Sequence, residues 1–234
     1  MAMAHESTAR IVKKRELKSE AILDAATQVL EAEGLDGLTL GRVAAAMGLV
    51  PGALYRYYDS KHALLAGLQR RAIAQIGEEV QAALGRLPQT PAEDVAALAR
   101  LLAVARAYGA LPATAPRAWH LVSVMLAEPK PLLSAQEAAV SFGILGALLE
   151  QVVGALDAAQ VGKALAKGDS AARTLAFWGA VHGAAALSKL KLWAPQLPEA
   201  PAAALEAATG LLLGWGAKPQ VLEQAKKLAA KGAR

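Results

Sequence analysis

Apolar residues along this chain recur at three- and four-residue intervals, and no stretch reads as a strand. That spacing places side chains on one face of an α-helix. The first stripe, Leu17, Ala21, Ile22, Ala25, Val29 and Leu30, predicts a helix over about 14–33, with Gly34 and Gly37 bracketing the turn that follows. The next stripe is short: Leu40, Val43, Ala44 and Met47 fall at i, i+3, i+4 and i+7. Thr39 stands just ahead of it, where a hydroxyl can accept from an orphan backbone N–H. Gly48 follows directly and can take the left-handed conformation that ends a helix. Leu49 and Val50 lead to Pro51, a residue favoured at a first helical position. Leu54 and Tyr58 then supply the inward seam of a second short helix, 51–58. Asp59 or Ser60 caps a further helix that no proline interrupts before about Leu84. Helix, glycine turn and helix within about twenty residues make a helix-turn-helix.

Beyond it, Gly and Pro set breaks at 85–91, 109–116, 128–131, 168–169, 195–201 and 216–219. They leave apolar helical segments near 92–108, 117–127, 134–166, 170–193, 202–215 and 219–231. Asp169 and Ser170 are good caps, and Ser134 with Glu137 reads as a capping box.

The side of 51–58 away from the seam carries Gly52, Ala53, Arg56 and Tyr57. Small residues let backbone approach a partner, while Arg and Tyr can donate to phosphate oxygens or base edges. Lys61, beside free N–H groups and a positive helix dipole, favours an anion such as DNA phosphate. Net charge is +5, and its distribution sharpens the point. Arg10, Lys13, Lys14, Arg15 and Lys18 cluster against Glu16 alone in the segment entering the first helix, well placed for phosphates or a minor groove. Residues 1–13 read as a flexible basic arm. Lys226, Lys227, Lys231 and Arg234 at the other end read as a solvated helix face.

The run Thr39, Val43-Ala44, Gly48-Leu49-Val50, Gly52, Leu54-Tyr55, Tyr57-Tyr58, Ser60-Lys61 and Leu64-Leu65 closely resembles the DNA-binding domain of TetR/AcrR-type transcriptional regulators. The likeness covers about 15–65. It implies that Pro51–Tyr58 is the recognition helix in the major groove. Thr39, Tyr57 and Lys61 are then phosphate contacts, with Arg42, Gly52, Ala53 and Tyr55 in the same DNA-binding set. Arg56 is the first choice for a base-edge contact, with Tyr55 able to share it. Val50, Tyr58 and His62 depart from the usual Ser, Phe and Glu without removing a proposed contact. The helix from Ser60 becomes a lever in this reading, since it begins in one domain and ends in the next. Phe177 to Gly183 resembles the Trp-x-x-x-His-Gly pattern in the regulatory domain of one subgroup, through Trp178, His182 and Gly183.

The expected fold is all-α: a helix-turn-helix domain over 14–65 and a larger helical regulatory and dimerisation domain over 66–234. Ligand pockets are mostly apolar with a few polar anchors, which makes Trp119, His120, Met125, Phe142, Phe177, Trp178 and His182 candidate walls. Each serves equally as core filling, and His182 as a hydrogen-bonded packing residue. Gly210, Leu213 and Gly214 mark a face that lets another helix approach, the candidate dimer interface; internal core packing is the competing reading. The chain has no cysteine, scattered histidines, no paired carboxylates, no metal-ligand spacing and no phosphate loop, so neither enzyme nor cofactor is expected. Thr174–Leu187 is too short for a membrane span and is interrupted by His182. The sequence therefore reads as a cytoplasmic homodimeric repressor that binds a palindromic double-stranded DNA operator and responds to a small apolar effector. A helical interaction module that has lost DNA binding is the alternative.

Overall fold

The computed structural model describes residues 2–90 and 92–232. Among them every regular element is helical, as expected. The order is α1 (Ala2–Gly37), α2 (Leu40–Ala46), a 3-10 turn (Pro51–Ala53), α3 (Lys61–Gly85), α4 (Glu93–Thr114) and α5 (Pro116–Ala127). Then come α6 (Ala135–Val161), α7 (Ser170–Leu187), a 3-10 segment (Ser188–Leu192), α8 (Ala200–Gly214) and α9 (Pro219–Lys231). The chain forms two compact units, Met1–Arg71 with Met125–Ser141, and Ala72–Val124 with Phe142–Arg234. Helix α3 passes from the first into the second between Arg71 and Ala72.

In the first unit the core is Ile22, Leu23, Ala26, Val29 and Leu30 of α1, Leu40, Val43 and Ala44 of α2, and Leu64, Leu65 and Leu68 of α3, closed by Leu38, Leu54 and Tyr58. Two expectations for α1 change. Residues 2–13 are helical and not a flexible arm, because alanines at 2, 4 and 9 favour helix and no Gly or Pro interrupts before Gly34. Leu17, 64 % exposed, and Ala21 do not face inward. The inward face begins at Ile22, where α2 and α3 supply partners; every described side chain from Arg10 to Leu17 is exposed. At Gly34 the backbone turns left-handed (φ 71°), breaking α1 just past Glu33 as expected, and one further turn reaches Gly37. Arg71 fastens α3 to α1, donating to Asp24 Oδ1 at 2.7 Å, Leu23 O at 3.0 Å and Thr27 Oγ1 at 2.6 Å.

The second unit is built on α4, which packs against α7, α8 and α9. Leu98, Leu101, Leu102 and Leu111 of α4 are fully buried. Helix α4 continues through Gly109 and Pro112, where a break was expected, because Tyr108, Gly109 and Leu111 are buried and hold the last turns in place. The glycine is required there. A Cβ on Gly109 would sit 2.6 Å from Ala204 Cβ and 3.0 Å from Ala200 O, so α8 lies against bare α4 backbone. Ala200, Ala204, Ala208 and Leu212 form the buried stripe of α8. Asp169 Oδ1 caps α7, accepting from Ala171 and Ala172 N. Helix α7 ends at Leu187 and tightens into the 3-10 segment, short of the expected 193. The Ser134–Glu137 capping box is half formed: Ser134 Oγ accepts from Glu137 N at 3.3 Å, but Glu137 Oε2 is buried without a partner.

Two helices, α4 and α6, have the length and apolar content of a membrane span, unlike the shorter α7 stretch tested from sequence. The apolar window of α4 is 67 % buried, as befits a core helix; that of α6 is 22 % buried.

Gly48 lies at φ +64°, ending α2 in the left-handed region. A side chain there is strained by about 1–2 kcal/mol. Gly48→Ala should therefore lower stability by about that amount, read as a lower urea midpoint.

Candidate nucleic-acid interface and regulatory cluster

Thr39 is extended (φ −134°, ψ 154°) and caps α2, its Oγ1 accepting from Arg42 N at 3.2 Å. The Arg42 guanidinium is exposed and reaches Glu33 Oε2 at 3.4 Å. Gly48 reverses the chain, and Leu49 N bonds back to Ala44 O at 2.8 Å.

The segment from Pro51 to Tyr58 is not the regular α-helix expected. Pro51–Ala53 is a 3-10 turn, followed by turns through Tyr57. Ala53 N bonds to Val50 O, Leu54 N to Pro51 O and Tyr57 N to Leu54 O, all i to i−3. Only Tyr58 N to Leu54 O, at 2.9 Å, keeps α spacing. Val50 offers no side-chain cap, and Gly52 is a poor helix former. So short a piece cannot recover its nucleation cost alone. The winding survives because Leu54 (0 % exposed) and Tyr58 (8 %) are buried and Tyr58 OH bonds Ser19 Oγ at 2.8 Å. Gly52, Tyr55 and Arg56 consequently face outward, with Ala53 and Tyr57 half-buried.

Ser60, rather than Asp59, caps α3: its Oγ accepts from Ala63 N at 3.0 Å. The Lys61 ammonium has a partner within the chain. It donates to Leu35 O at 2.5 Å, tying the start of α3 to the end of α1. Two of its three N–H bonds remain for another acceptor.

One juxtaposition was not legible in the sequence. An open groove of about 760 Å³ is lined by Lys14, Arg15, Leu17, Lys18, Arg56 and Tyr57. The N-terminal cations and the segment 51–58 thus share one surface. Of the C-terminal basic group, Lys226 pairs with Glu223 at 3.0 Å, and Arg234 lies outside the described residues.

In the second unit, Tyr108 from α4, Trp119 from α5 and Trp178 and His182 from α7 form an aromatic cluster. Trp178 Nε1–H donates to Tyr108 OH at 2.9 Å, and Tyr108 OH lies 3.1 Å from His182 Nδ1. The Tyr108 hydroxyl thus links the Trp178 N–H to the His182 imidazole. Trp119 lies over His182, centroids 4.8 Å apart and planes at 39°. Burial pushes the Tyr108 phenol up to about 12, partly offset by the Trp178 bond, and pulls His182 below its usual value.

The remaining expected pocket walls do not join this cluster. Phe177 is buried core, His120 is exposed, Phe142 is 71 % exposed on α6, and Met125 belongs to the first unit. Periodicity could not separate walls from core, and Tyr108 gave no signal beyond being a lone tyrosine near an expected helix end. Gly210, Leu213 and Gly214 are exposed, on the side of α8 opposite its buried stripe. Among the described residues no three His, Asp or Glu side chains gather as metal ligands.

The family model for bacterial regulatory proteins of the tetR family matches residues 22–68. The chain is similar to the HTH-type transcriptional regulator BetI of Brucella anthropi, 28 % identical over 82 residues, which is 35 % of this chain and 42 % of that one. It is 44 % identical over 52 residues to the HTH-type transcriptional repressor DrrR1 of Streptomyces coeruleorubidus, 22 % of this chain and 19 % of that protein. The chain thus spans less than half the length of these curated relatives. The fold extends further. The transcriptional regulator FadR from Bacillus subtilis, solved in complex with stearoyl-CoA, superposes with a TM-score of 0.64 at 17 % identity, covering 83 % of this chain and 98 % of that one. At that identity the likeness is one of fold alone.

The cluster makes stability pH-dependent at both ends. His182, lowered, contributes stability at neutral pH that is lost as pH falls below 6.5. Tyr108, raised from 10.0 to about 12, contributes stability that is lost as pH rises through that window. Tyr108→Phe should cost about 1–3 kcal/mol at neutral pH by orphaning the Trp178 N–H. Its deficit against the parent should narrow between pH 10.0 and about 12 in urea titrations.

Proposed function

We propose that this chain, whose residues 22–68 match the tetR family of bacterial regulatory proteins, is a member of that family: a cytoplasmic, ligand-responsive repressor binding a palindromic operator as a homodimer. The observation that carries this reading is the outward set Gly52, Tyr55 and Arg56, held on a family-matched segment by buried Leu54 and Tyr58. Thr39, Arg42, Tyr57 and Lys61 fix register on phosphates. Gly52 and Ala53 let the backbone approach the groove floor. Tyr55, 56 % exposed, takes the base edge. Arg56 is better suited to phosphate than to the base edge first assigned, because it shares its groove with three other cations.

Dimerisation brings two such segments to half-sites about 34–36 Å apart, or a multiple of that. Its proposed surface joins the exposed Gly210, Leu213 and Gly214 of α8 to the exposed Leu175, Ala176 and Gly179 of α7. These are apolar or small residues that nothing in one protomer covers, on two helices already packed together. An apolar effector is supported by the FadR complex with stearoyl-CoA and by the half-buried cluster around His182. It shifts operator occupancy only by its difference in affinity for the two states. Repression is supported by the likeness to DrrR1, a transcriptional repressor. Nothing in this reading calls for catalysis.

Fluorescence anisotropy on a random duplex across a salt series tests it. Log affinity should fall steeply with log salt, by about 0.9 per phosphate neutralised; flat or absent binding favours an interaction module instead. After selection of a motif from a random pool, Tyr55→Ala should relax preference at one position per half-site by about 1–3 kcal/mol.

A further inference from the structure

We propose that the groove between α1 and the Pro51–Tyr57 segment is a second phosphate-binding surface, gripping duplex DNA that flanks the half-site. The inference rests on the DNA-binding reading above and deepens it. Lys14, Arg15 and Lys18 precede residue 22, where the family-matched segment begins, so the match assigns them nothing.

Arg10, Lys14 and Lys18 stand at i, i+4 and i+8 on a continuous helix. They share one face and span about 12 Å at 1.5 Å per residue. Three groove cations from α1 meet Arg56 from the recognition segment in one cleft. Among the described residues none of the four is in an ion pair. The carboxylates of Glu20 and Asp24 are taken by Arg71, at 3.6 and 2.7 Å. Four like charges in one groove repel one another, and an anion with repeated charges relieves that repulsion. Because Arg56 belongs to the segment that reads the half-site, the polyanion already at hand is the strand running out of it. Tyr57 adds a hydroxyl donor.

The experiment uses the full chain and a Lys14→Ala/Lys18→Ala variant, whose alanines keep the helix, checked by circular dichroism. Affinity is measured across salt on two duplexes: one trimmed to the selected motif, the other carrying about ten base pairs, one turn, on each side. The parent should show the steeper slope on the long duplex. In the variant that excess should vanish, the long-duplex slope falling by about 1.8 for two phosphates at about 0.9 each. Equal slopes for parent and variant on the long duplex would overturn the flanking grip while leaving the regulator reading intact. An equal fall on both duplexes would also overturn it, by placing the cations inside the half-site. A parent that binds neither duplex overturns the regulator reading and this one together.

Discussion

Two side chains four residues apart decide which way the recognition segment faces. Fixing a first helical turn orders about six dihedrals for one hydrogen bond, and this piece starts uncapped, with Gly52 as the second residue of its 3-10 turn. Its own backbone cannot hold it. Burying Leu54 fully contributes about 1.5–3 kcal/mol, and Tyr58 adds its ring and a bond to Ser19. With those two positions pinned, rotation about the local axis is no longer free, and Gly52, Tyr55 and Arg56 must lie outside. The outward surface of this segment, proposed above to meet a duplex, is thus a by-product of what the core demands. It tolerates loss of regular α geometry because sidedness depends on the anchors and not on the hydrogen-bond register.

The same economy shapes α8. Its buried alanines repeat every four residues, and Ala200 and Ala204 lie against the bare backbone of Gly109, so one stripe of small side chains is spent inside the protomer. Gly210 and Gly214 fall on the opposite side, with open space where a Cβ would point. Small residues on both faces of one helix suit a helix gripped from both sides, and the described residues supply only one grip.

Periodicity made the helices legible, and caps with backbone requirements made their joints legible: Thr39, Gly48 and Asp169 do what their chemistry suggested. Errors arose where tertiary packing overrode a local rule. Pro112 and Gly109 did not end α4 because the residues around them are buried. The stripe through Leu17 and Ala21 looked inward only because periodicity does not record whether a partner lies opposite. For the sites, the inward seam of Leu54 and Tyr58 and the outward placement of Gly52 and Arg56 were readable, but meetings between distant segments were not. Nothing in the order of residues places Lys14 beside Arg56, or Tyr108 between Trp178 and His182.

That last cluster bears on how an effector could act. Its hydrogen bonds run in series: the Trp178 N–H donates to the Tyr108 oxygen, and the Tyr108 hydroxyl bonds His182 Nδ1. They join α4 and α7, while Trp119 on α5 stacks over the imidazole. A half-satisfied buried chain of this kind is worse than none, and orphaning one member costs about 1–3 kcal/mol. Coupling free energies between an effector site and a distant one fall in that same range of about 1–3 kcal/mol. A ligand that replaced one partner in the chain would therefore act on a term of the right size for regulation. It would do so on helices of the unit into which α3 extends from the one that holds the family-matched segment. A purely apolar wall would offer no such directional term, which is why the three-residue chain, more than the surrounding aromatics, is the part of the second unit suited to sensing.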